Sequence, residues 1–232
     1  MKTFKALSLL LCYPSAELQA AIPALRAVLL QDGLLGPRRI EDLTPLLDQL
    51  ARGDLYELQE RYVLLFDRSR TLSLNLFEHI HGEGRDRGGA MVDLLEMYRA
   101  GGFDLGGTEL PDHLPVLLEY LSTRPLAEAC EVLRGAGHIL VALADRLTRR
   151  EPAYAAVLAA LVAVAEADPA TEEVAPLLEV RDDDPEDLAA LDAVWAEAQV
   201  TFGPDPDAGC PVSRDILARM DPAAGRPARA AS

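Results

Sequence analysis

DLYELQERYVLLF, residues 54–66, repeats its apolar side chains with the period of a helix. Leu55, Leu58, Tyr62, Leu65 and Phe66 fall on one face of it. The same period recurs along the chain. It predicts further helices over 3–12, 15–31, about 41–51, 71–80, 88–100, 111–121, 126–149 and 152–167. A last helix starts from an Asp184 cap and Pro185 and carries Leu188, Leu191, Trp195 and Phe202 as its stripe. Tyr13-Pro14, Gly33 to Pro37 and Gly101-Gly102 supply the stops. Gly135 and Gly137 interrupt 126–149, where a kink or a close helix approach is expected in return for about 1 kcal/mol each. Aromatics make up only 5% of the chain, and Leu and Ala dominate the apolar half, which favours helices over sheets. The expected fold is all-α, a single-domain bundle of roughly nine or ten helices over 1–202. The Pro/Gly/Ala-rich residues 203–232 read as a mobile tail.

Charge narrows the function classes. The chain carries 22 basic and 38 acidic residues, a formal net of −16. Most of the excess lies in 166–207, where fourteen acids face one arginine, Arg181. Nucleic acid is a poor partner for such a chain, because affinity there rests on neutralising phosphates. An anionic membrane surface would repel it, and a basic peptide would be attracted. The acidic run 179–188 reads as a solvated helix start. Cys12, Cys130 and Cys210 are odd in number and far apart, which fits a reducing compartment. MKTFKALSLLLCYP, residues 1–14, looks superficially like a signal peptide. Its apolar run is at the lower length limit and no small-x-small site follows, so it is read as a first helix packed inside. No segment approaches the ~18 apolar residues of a membrane span.

The densest chemistry lies in SLNLFEHIHGEGRDRGGAMVDLL, residues 73–95. His79 and His81 are two residues apart, so on a helix they diverge and make a poor metal pair. Gly82 and Gly84 are followed by Arg87 where a dinucleotide fingerprint needs its third glycine, and no Gly-Lys-Ser/Thr occurs. The glycines read as turn-makers between two helices. Arg85 and Arg87 could hold an anion, but Glu83 and Asp86 beside them favour internal ion pairs. A second constellation, Asp112 and His113 at a helix start, could supply an acid and a base. Adjacent residues on a helix diverge, so a capping Asp and a surface His are expected instead. No enzyme class emerges.

Three stretches carry a family resemblance: ALSLLLCYPS (6–15), YVLLFDRSRTLSLNLFEHIHGEGRDRGGAMVDLLEMY (62–98) and LPDHLPVLLEYL (110–121). They closely resemble the NarJ-type nitrate reductase assembly chaperones, within the TorD/DmsD class of redox-enzyme maturation proteins. The likeness runs to about residue 200, and the 62–98 block is its specific part. It implies a cytoplasmic, all-helical, TorD-like chaperone with no catalytic activity and no permanent cofactor. Its implied partners are the N-terminal peptide and apoenzyme of the nitrate reductase catalytic subunit, together with molybdenum cofactor biosynthesis proteins. The chaperone would keep that apoenzyme open for molybdenum cofactor insertion before membrane docking, without itself inserting into the membrane. Carried onto this chain, the peptide-binding candidates are Tyr62, Leu65, Phe66, Leu74, Phe77 and Tyr120. The polar rim would be Asp67, Arg70, Glu78, His79, His81, Glu83, Arg85, Asp86, Arg87, Asp112 and His113. Two other readings stay open: a different molybdoenzyme client, and a small helical metal enzyme using His79, His81 and His113.

Overall fold

The computed structural model describes residues 1–81, 85–107 and 109–182, all within one unit, Met1–Asp187. The predicted 185–202 helix, the 203–232 tail, Glu83 and the side chains of Arg85 and Asp86 lie outside the described residues. Among the described residues the chain is all-α. Its helices are α1 (Lys2–Leu10), α2 (Ala16–Asp32), α3 (Pro37–Arg52), α4 (Leu55–Tyr62), α5 (Glu78–His81) and α6 (Arg85–Ala100). The second half adds α7 (Leu114–Ser122), α8 (Leu126–Gly135), α9 (Gly137–Arg150), α10 (Pro152–Ala165) and α11 (Val174–Glu179). No described helix is long and apolar enough to cross a membrane.

Local chemistry sets many of the boundaries. Ser15 caps α2 by accepting from the Leu18 N–H at 3.2 Å, and Gly33 ends it in the left-handed region at φ 70°. Asp54 caps α4 through the Tyr56 and Glu57 amides at 2.9 and 3.2 Å. Pro37 and Pro152 sit in the first turns of α3 and α10, where a missing N–H costs nothing.

α10 is apolar all round and is accordingly the central helix, packed against α9, α3 and α8. α1 lies between α7 and α2, and α2 runs back along α3. Ser8 on α1 donates to the Pro115 carbonyl at 2.7 Å, and Lys5 pairs with Glu119.

Three expectations need correction. Residues 71–80 are not one helix. A 3-10 turn, Arg70–Leu72, is followed by irregular backbone and a turn at 76–77 before the short α5. Leu72, Ser73, Leu74 and Leu76 are all buried, so the segment is packed inside without the one-face pattern of a helix. Asn75 in this run forms an isolated antiparallel bridge with His113. Second, the predicted 126–149 helix is two helices, α8 and α9, parted at Ala136. A Cβ at Gly137 would lie 2.8 Å from the Ala167 Cβ, whereas at Gly135 it would meet nothing within 4 Å. The close approach is therefore at Gly137, and Gly135 marks the break. Third, α7 begins at Leu114 and not at Pro111, with His113 in the cap position.

α4 continues into a π turn, Val63–Asp67, closed by an Arg68 N–H bond to the Val63 carbonyl at 3.0 Å. Nothing in the sequence pattern announces this turn.

Candidate functional site

The residues expected to form one site divide into two sets. Tyr62, Leu65, Phe66, Leu74 and Tyr120 are buried in the core. Tyr62 donates its hydroxyl to the Leu11 carbonyl at 2.9 Å. Its ring packs on Phe66 at 4.9 Å, and Phe66 in turn meets Tyr154 edge-on at 5.2 Å. The Tyr120 ring lies tilted against Tyr98 at 4.8 Å and meets Phe103 edge-on at 5.8 Å. These rings fill the interior.

The polar set forms a knot joining residues 73–81 to 110–114. The Leu114 N–H donates to the Leu74 carbonyl at 2.8 Å, and the Leu76 N–H to the Asp112 carbonyl at 3.0 Å. Asp112 is fully buried and is not a helix cap: its Oδ2 accepts from the Phe77 N–H at 3.0 Å. Arg87 reaches in from α6, with Nη2 at 3.2 Å from Glu78 Oε1 and 3.7 Å from Asp112 Oδ2. Among the described residues, Asp112 Oδ1 and Arg87 Nε have no hydrogen-bond partner. His113 is half-buried, with Nδ1 3.2 Å from Asn75 Oδ1. His79 holds the Ser73 carbonyl through Nε2 at 2.8 Å, and the His81 ring meets Phe77 edge-on at 5.9 Å. Tyr98 fixes the other strand of the knot by donating to the Pro111 carbonyl at 2.7 Å. Asp67 and Arg70 are exposed.

Burial sets the electrostatics here. It pushes the Asp112 carboxyl up, against the Phe77 N–H and Arg87, which hold it down. It pulls His79 and His113 down, so both favour the neutral ring. A histidine whose folded pKa lies below its unfolded value of about 6.5 stabilises fully above that value. The contribution is lost as pH falls through the folded pKa. Asp112 has the opposite sign, because protonation relieves a buried charge. The histidine window opens at about 6.5 and extends downward, and Asp112 works against it wherever its raised value overlaps that range. His79→Gln keeps an N–H donor for the Ser73 carbonyl. It is expected to flatten the fall of stability in that window, read from urea unfolding at successive pH values. A variant that falls as steeply as the parent would disprove this titration.

Among the described residues, no three His, Cys, Asp or Glu side chains are gathered as a metal ion would require. His79 contacts the Ser73 carbonyl, His81 the Phe77 ring and His113 the Asn75 side chain.

A second feature was not read from the sequence. A groove of about 310 Å³ opens beside the core rings, lined by Tyr13, Tyr56, Gln59, Glu60, Val63, Leu64 and Arg68. Tyr56 is 81% exposed and Tyr13 49%, large apolar surfaces left in water. The signal was present in 54–66. Leu58, Tyr62, Leu65 and Phe66 make the core stripe, yet Tyr56, Val63 and Leu64 put apolar groups on the outer face as well. A helix serving only its own core would be polar there.

Residues 14–160 match the family model described as nitrate reductase delta subunit. The chain is 47% identical over 167 residues to the nitrate reductase molybdenum cofactor assembly chaperone NarJ of Escherichia coli K12, covering 70% of this chain and 69% of that one. It is 39% identical over 212 residues to the probable chaperone of the same description, NarW, of that strain, covering 90% and 87%. The probable NarJ of Bacillus subtilis strain 168 is 33% identical over 165 residues, covering 71% and 88%. By the extent of the family match and the depth of these identities, the chain belongs to the nitrate reductase delta subunit family.

Proposed function

We propose that the chain is a system-specific chaperone of respiratory nitrate reductase assembly. It binds the N-terminal segment of the enzyme's catalytic subunit and keeps the apoenzyme open for molybdenum cofactor insertion before membrane docking. It acts in the cytoplasm as a binding protein and not as a catalyst, with the chaperone body spanning 1–202. The observation that carries this reading is the open groove on α4, flanked by two exposed tyrosines, in a chain whose relatives are named for nitrate reductase cofactor assembly.

An amphipathic peptide helix laid in a groove is held by apolar anchors at helical spacing. Tyr56, Val63 and Leu64 offer such a surface without disturbing the core. The acidic balance of the chain favours a basic partner over an acidic one. The knot holds the 73–81 run in place, with Phe77, Glu78 and His81 half-exposed on it as further client-contact candidates. Asp67 and Arg70 remain rim candidates.

Calorimetry with a synthetic peptide of the client's N-terminal segment is expected to give micromolar affinity or better, weakening with salt. Tyr56→Ala is expected to weaken it by about tenfold or more, at unchanged melting temperature. No heat of binding to the parent chain would remove the proposal. Tighter binding of a peptide from a different molybdoenzyme would reassign the client.

A further inference from the structure

The floor of the groove is one face of a continuous helix, α4 and its π turn. Lining positions 56, 60, 63 and 64 descend that face, and Arg68 follows in the bend that ends it. On an uninterrupted α-helix the position after 56, 60 and 63 would be 67, about 20° from Tyr56, and 68 would stand about 120° away. The π turn changes the count. Its bond from the Arg68 N–H to the Val63 carbonyl is i→i+5 and absorbs one extra residue. Arg68 therefore lines the groove where Asp67 would have been. Asp67 does not line the groove, and partial burial pushes its carboxyl up.

The substitution reverses the sign of charge at that end of the groove. Glu60 lies in the last turn of α4, one turn beyond Tyr56, and Arg68 follows it by eight residues, just after the π turn. That is about two turns, a length a short peptide helix would span. Glu60 and Arg68 have opposite charges, and so do the two ends of a bound helix, whose amide end is positive and carbonyl end negative. α4's own amino end is already covered by the Asp54 cap and Glu57.

We infer that the π turn sets the direction of the bound peptide: its amino end lies at Glu60 and its carbonyl end at Arg68, parallel to α4. The inference rests on the client-peptide reading above and adds a polarity to it. Glu60 and Arg68 are specificity-determining positions, and the π turn is what puts the arginine there.

The test uses the full chain, isotope-labelled, with the synthetic client peptide carrying a nitroxide one turn from either end. A label near the amino end is expected to broaden the amides of 56–60 more than those of 68–70, and a label near the carboxyl end the reverse. Arg68→Glu should weaken binding roughly two- to fivefold. The double exchange Glu60→Arg with Arg68→Glu should recover affinity and invert the broadening pattern. The opposite pattern in the parent chain, or one that ignores which end is labelled, overturns the inference while leaving the client reading intact. No binding at all overturns both, and calorimetry on the unlabelled peptide separates the two failures.

Discussion

Arg146→Leu is expected to lower stability by about 3–5 kcal/mol, the range for breaking a buried charge network. Arg146 on α9 is only 2% exposed. Its Nη1 donates to the Thr71 carbonyl at 3.0 Å, and its Nη2 reaches the Leu177 carbonyl and, at 3.3 Å, that of Val180. Nε faces Asp182 Oδ1 at 3.1 Å, an ion pair without hydrogen-bond alignment. Leucine fills the volume and satisfies none of the three carbonyls, each of which costs about 1–3 kcal/mol when stranded. Asp182 is the partner least affected, since Arg149 also holds it at 3.1 Å. For a domain of this size the loss corresponds to a fall in Tm of roughly 10 °C. Hydrogen exchange should show the loss of protection concentrated at the 70–72 turn and α11. A shift in Tm below about 3 °C would mean that the guanidinium is not what joins those two segments.

Phe66→Ala should cost a similar amount, about 3–5 kcal/mol for emptying a large aromatic from a core. Phe66 is 5% exposed and stands between the Tyr62 and Tyr154 rings, so two aromatic contacts are lost along with the volume. The comparison with Tyr56→Ala separates interior from groove. Phe66→Ala should melt early while its folded fraction binds peptide within about threefold of the parent, less than the tenfold step of a contact residue. Tyr56→Ala should do the opposite. If Phe66→Ala lost binding while keeping its melting temperature, Phe66 would have to leave the core to meet the client.

These two positions also show how far the sequence could be read. The helical period of 54–66 was enough to place Leu58, Tyr62, Leu65 and Phe66 on one face, but not to say whether that face met the core or a partner. Burial decides that, and burial depends on α1 and α10, far away in sequence. The run LSLNL, 72–76, alternates in sequence, but Ser73 is buried along with the leucines, so its packing could not be read from that pattern. Asp112 was legible only as a polar residue ahead of a helix. Its role comes from the Phe77 amide, 35 residues earlier, and no local pattern reports a contact of that range. The groove was visible in principle, as apolar residues on the wrong side of α4. The π turn was not, because its one extra residue leaves no mark on composition.

The place of α1 has a consequence in time. Its cover on one side is α2, which follows at once, but on the other it is α7, reached through the Ser8 bond to Pro115 and the Lys5 pair with Glu119. Synthesis at roughly 5–20 residues per second separates those elements by about 6–20 s. Throughout that interval a leucine-rich helix preceded by lysine stands half-clothed on the nascent chain, the same combination by which export machinery sorts its cargo. The finished fold buries Phe4, Leu7, Leu10 and Leu11. The growing chain leaves them partly uncovered until α7 arrives.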